Sequence, residues 1–142
     1  MFCERKSDPP GLRSVFRLNA PRFEDLENAA DEEYGGWGSL LLEASLEAFG
    51  EIEFSDAVSY GREVAVVIKG TRFVVHLGFQ GPSWLGFVNE GSALLDSADT
   101  RRALGALDRR LRETDGVLEL KWMDLSAFRA NREDWEDAPF VP

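Results

Sequence analysis

Apolar residues recur at every second position through the middle of this chain and at every third or fourth position on either side of it. That change of period predicts a sheet flanked by helices. From Leu12 to Leu18, Ser14, Phe16 and Leu18 alternate with Arg13, Val15 and Arg17, a short first strand. Pro21 opens a polar helix through about Tyr34, with Phe23, Leu26 and Ala30 on one face and Glu24 and Asp25 in the first turn, where the helix dipole favours acids. Gly35, Gly36 and Gly38 make a loop around Trp37. Ser39 caps a second helix that runs to Phe49, buries Leu42, Leu46 and Phe49, and stops at Gly50.

The middle reads as a meander. Glu51 to Tyr60, Glu63 to Lys69, Arg72 to Phe79 and Trp84 to Asn89 are strands, separated by turns at Gly61-Arg62, Gly70-Thr71 and Gly81-Pro82. Asp96 or Ser97 starts the clearest helix, striped by Leu104, Leu107 and Leu111 and ended by Gly116. Val117 to Trp122 is a last strand, with Val117, Glu119 and Lys121 set against Leu118, Leu120 and Trp122. The expectation is one α+β domain over residues 1–142: an antiparallel meander sheet of about five strands with helices packed mainly on one face. Residues 1–11 read as a loose lead-in. Residues 124–142 read as an irregular tail anchored by Phe128, Trp135 and Phe140.

Charge sharpens this picture. The chain of 142 residues carries 26 acids against 16 Lys and Arg, a formal charge of -10. Eleven of the acids fall between Glu24 and Asp56, a stretch without any Lys or Arg: Glu24, Asp25, Glu27, Asp31, Glu32, Glu33, Glu43, Glu47, Glu51, Glu53 and Asp56. A ligand with a phosphate backbone, or an anionic membrane, is therefore an unfavourable partner, and a basic protein a favourable one. Solvated faces usually mix signs, so the run reads either as a binding surface or as a solubilising one. Arg101, Arg102, Arg109, Arg110 and Arg112 cluster on the long helix, where they offset the acidic surface or meet an acidic ligand.

Catalytic and metal chemistry find little to use. His76, the one histidine, lies in a strand, where a structural role is the usual one. A single Cys, Cys3, permits no intrachain disulfide and, with His76, no four-ligand zinc set. Asp31, Glu32 and Glu33 are adjacent in a helix and point apart, which makes them poor chelators. Gly35, Gly36 and Gly38 lack the Lys-Ser or Lys-Thr of a phosphate loop. Glu51 and Glu53 share a strand face, a spacing that only superficially matches the paired carboxylates of sugar hydrolysis. No catalytic residue, metal or cofactor is expected. Tyr34, Trp37, Trp84, Phe87 and Trp135 sit near turns, where large rings either anchor a partner or plug the ends of the sheet. No signal peptide or membrane-length apolar run is visible, which leads to the expectation of a cytoplasmic protein.

At the level of class, this small, acidic, single-domain composition resembles the immunity proteins that neutralise bacterial toxins. The resemblance implies carboxylates placed in or near a basic toxin's active site. The run Val15 to Phe54, with Asp25-Leu26 in its first helix and Tyr34-Gly35 after it, is similar to the start of barstar-type ribonuclease inhibitors. It departs from them in a shorter first helix and in sheet where that family is helical, so no residue roles carry over. The order helix 39–49, strands, helix 98–113, strand is similar to type III class secretion chaperones, which are also small and acidic and which dimerise. The first strand and the aromatic tail do not fit them.

The resulting expectation is an immunity-type protein that neutralises a basic toxin, a nuclease being one candidate, as monomer or homodimer. Its partner-binding residues are Asp31, Glu32, Glu33, Trp37, Glu43 and Glu47. The alternatives are a secretion chaperone, which binds through apolar grooves, and a small-molecule enzyme or binding domain, which requires a pocket of convergent polar groups near His76 or Glu51 and Glu53.

Overall fold

Cross-strand pairing turns the alternating segments into one sheet. The computed structural model describes residues 7–20, 47, 50–58, 61–80, 83–89 and 94–140. The strands are β1 (Val15–Asn19), β2 (Glu51–Val58), β3 (Gly61–Ile68), β4 (Thr71–Gln80), β5 (Ser83–Val88) and β6 (Glu119–Met123). The helices among the described residues are α1 (Ala98–Glu113) and α2 (Leu125–Arg129). All neighbouring strands are antiparallel, in the order β2-β3-β4-β5-β1-β6. The result is a single α+β domain with six strands in an open sheet. Only β2 to β5 follow a meander. β1 inserts between β5 and β6, a long-range pairing that local alternation does not encode.

Turn chemistry moves two boundaries. Between β3 and β4 the turn is Lys69-Gly70, one residue earlier than Gly70-Thr71, and both residues have positive φ (52° and 79°). A two-residue hairpin whose twist matches its strands requires that conformation at both positions. Between β2 and β3, Gly61 already pairs with Val58, so the turn precedes Gly61-Arg62. Asn89, also at positive φ (53°), ends β5 against β4: its Oδ1 accepts from Val74 N–H at 2.8 Å, and its own N–H donates to Val74 O at 2.8 Å.

One face of the sheet carries the main core. Phe16, Leu18, Val64, Val66, Ile68, Phe73, Val75, Leu77, Trp84, Val88, Leu120 and Trp122 meet Ala103, Leu104, Leu107 and Leu111 of α1. α1 starts at Ser97, whose hydroxyl accepts from Thr100 N–H at 3.1 Å. Trp84 is fully buried here, so its place beside a turn glycine does not make it a surface anchor. Gly86 gives Phe16 its place: a Cβ on Gly86 would lie 2.0 Å from Phe16 Cζ, and the two residues face each other across β5 and β1. α1 is also tied to β6 by a polar contact, Trp122 Nε1 donating to Asp108 Oδ1 at 2.7 Å. Leu118, expected on the buried side with Leu120, is 72% exposed because β6 begins only at Glu119.

The C-terminal tail covers part of the other face. Val15, Leu85 and Leu125 form a second cluster with Phe87, Phe128 and Trp135. The rings of Phe87 and Phe128 stand 5.3 Å apart edge to face, and those of Phe128 and Trp135 6.4 Å apart. Glu136 then pairs with the outer edge of β6, exchanging backbone bonds with Trp122 (2.7 and 2.8 Å). Phe140 bridges Leu12, and Arg13 N–H donates to Pro139 O at 2.7 Å. The segment before β1 is held as well. Asp8 is buried, and its Oδ2 accepts from Ser14 N–H (2.9 Å) and from Leu125 N–H at the start of α2 (3.0 Å). Asp8 thus ties the segment before β1 to β1 and to the start of α2. A single carboxylate satisfies two buried backbone donors.

Candidate functional site

The uncovered part of that second face is acidic, and the register shows how it is built. β2 lies at the end of the strand order and carries a bulge between Ile52 and Phe54. Beyond the bulge, Phe54 faces Ala65, and Asp56 faces Glu63. Glu63 in turn faces His76, and His76 faces Phe87. One row therefore runs from two carboxylates on β2 and β3, through an imidazole, to the aromatic cluster beneath the tail. Glu51 stands on the same face opposite Val67, and Glu53 at the bulge reaches Arg72 at 2.7 Å.

Like charges directly opposite each other in an antiparallel pair are destabilising. Asp56 and Glu63 are such a pair, and neither has an ion-pair partner among the described residues. Asp56 is exposed and Glu63 half-buried between it and His76. Of Glu51, Glu53, Asp56 and Glu63, only Glu53 has an ion pair among the described residues, and that pair is open to water. The four share the face with Phe54, which is 36% exposed.

Three arginines of α1 are engaged by acids other than these. Arg101 binds Asp96 (2.8 Å), Arg102 binds Asp99, and Arg112 binds Asp108 (3.0 Å), all close in sequence. α1 packs on the opposite face of the sheet. The Arg101 guanidinium, hydrogen-bonded to Asp96, holds that carboxyl below the usual carboxylate range, and Asp96 raises Arg101 in return. Lys121 does the same to Asp137, and Asp137 raises Lys121. The second pair pins the tail to β6.

Of the residues expected to bind a partner, Glu47 is helical and exposed. Asp31, Glu32, Glu33, Trp37 and Glu43 lie outside the described residues. The structure adds Glu63, which a sequence reading passes over because it belongs to the valine-rich strand, and the acids Glu51 and Asp56, whose shared face follows from the bulge. Glu53 sits at the bulge and is paired with Arg72, so Glu51 and Glu53 do not stand as two free carboxylates side by side. His76 is half-buried, edge-on to Phe87 with centroids 6.3 Å apart. Among the described residues no three His, Cys, Asp or Glu side chains are grouped to hold a metal ion, and no helix is long and apolar enough to cross a membrane. Comparison with protein-family models, with curated proteins and with solved structures finds no match to this chain.

Proposed function

We propose that the protein acts by stoichiometric binding, as an immunity-type inhibitor that holds a basic toxin against its acidic sheet face and edge. The observation that carries this reading is the facing pair Asp56 and Glu63, without an ion-pair partner among the described residues, while Arg101, Arg102 and Arg112 of α1 are matched by nearby aspartates. A bound Lys or Arg relieves the repulsion of that pair, so partner binding recovers a cost already present in the unbound fold. Phe54 supplies apolar contact beside the acids. The field of a chain with a formal charge of -10 steers a cationic partner and repels a second copy. The acids of residues 24–47 extend the same sign along the sequence.

The test is association with the partner recovered by affinity capture and identified by mass spectrometry. A basic protein is expected, inhibited at a one-to-one ratio, with an association rate that falls as salt rises. The triple variant Glu51→Lys, Asp56→Lys, Glu63→Lys should slow association by roughly tenfold or more while remaining folded. Salt-independent association, or an unchanged rate in the folded variant, overturns the proposal. Reversal of Asp31, Glu32 and Glu33 to Lys measures separately how much the preceding segment contributes.

A further inference from the structure

The tail-covered end of the same face holds a different kind of site. β1 places Arg17 between Leu85 of β5 and Lys121 of β6, so two cations face each other across a strand pair. Lys121 is answered by Asp137, and Arg132 in the tail by Asp134 at 2.7 Å. Arg13 is answered by the carbonyls of Ala138 and Phe140. Arg17 has no carboxylate partner among the described residues. Arg17 is half-buried, and its guanidinium lies 4.5 Å from the centre of the Trp135 ring. Stacking leaves the planar N–H edge of a guanidinium available for an acceptor.

Beside this cation is an open groove of about 210 Å³, walled by Leu85, Phe128 and Trp135 and rimmed by Arg132 and the exposed Glu133. We propose that this groove binds a small carboxylate with an apolar body, the class represented by an aryl carboxylate. Arg17 takes the carboxylate, whose two oxygens match the guanidinium fork. The indole, Phe128 and Leu85 take the apolar part. Glu133 at the rim disfavours a doubly charged anion, which separates a carboxylate from a phosphate. The inference stands apart from the acidic surface, because it uses none of those residues.

The experiment is a ¹⁵N-resolved NMR titration of the full chain with benzoate, and with acetate and inorganic phosphate as comparators. Benzoate is expected to shift the Arg17 and Leu85 amides and the Trp135 indole N–H saturably, and to bind more tightly than either comparator. Arg17→Gln should weaken benzoate roughly tenfold or more through loss of the charge-assisted contact. Glu133→Gln should tighten it a few-fold by removing repulsion at the rim. Absence of a saturable shift at these groups, tighter binding of phosphate, or undiminished binding in a folded Arg17→Gln protein overturns the proposal. Should Arg17→Gln fail to fold, Glu133→Gln decides, and an unchanged affinity there overturns it too.

Discussion

Gly86 shows how much rests on a missing methyl group. Phe16 fills the space over it, so Gly86→Ala forces a ring or a strand to move. The expected loss is about 1–3 kcal/mol, the usual range for overpacking a tight core, read as a lower urea midpoint with an unchanged slope. Asp108 is a second such position. It accepts from the Trp122 indole and is gripped by Arg112, so Asp108→Ala leaves a buried N–H without its acceptor. A loss of about 1–2 kcal/mol is expected by denaturant titration. Neither role is visible in the sequence. Gly86 stands in an alternating strand where glycine looks like a weakness, and Asp108 stands among arginines like one more solvated helix acid.

At the scale of elements, the C-terminal strap carries a pH-sensitive ion pair. It is held by Trp122–Glu136 backbone pairing, by the Arg112 bond to Asp137 O, and by Lys121–Asp137. Asp137 has a folded pKa below its ordinary 3.8, so its contribution is complete above that value and is lost as pH falls through the lowered one. Lys121 is raised above 10.5, so its contribution is complete below that value and is lost as pH rises past the raised one. Amide exchange at Trp122 and Glu136 is therefore expected to lose protection, relative to the centre of β3, at both pH extremes. Asp137→Asn should remove the pH dependence of that difference, and a persisting one would place its origin elsewhere. The aromatic anchors of this strap, Phe128, Trp135 and Phe140, were legible as large apolar residues in a polar tail. That Phe128 and Trp135 cover the face opposite α1, while Phe140 packs on the α1 side beside Gly105, was not, because composition carries no handedness.

At the scale of the molecule, charge and fold pull against each other. A surface with facing carboxylates is less stable than its neutral counterpart, so Asp56→Asn is expected to raise stability by about 0.5 kcal/mol. The same change should slow association with the basic partner. Added salt should raise the melting temperature of the unbound protein while it weakens the complex, since screening relieves self-repulsion and attraction alike. A melting temperature that does not rise with salt would mean that the acids are already compensated within the fold.

The strands β2 to β5, the long helix with its Ser97 cap, and the acidic run were all determined by the sequence itself, because alternation, helical period and net charge are local properties of neighbouring residues. Which acids stand together was decided only by tertiary structure. The bulge in β2 and its register with β3 bring Asp56 against Glu63, two residues that the linear pattern assigns to different segments. The same holds for β1, whose place between β5 and β6 sets Arg17 beside Trp135. Both outcomes depend on backbone hydrogen bonding between distant segments, and a one-residue slip in either register would turn every side chain of the strand to the other face.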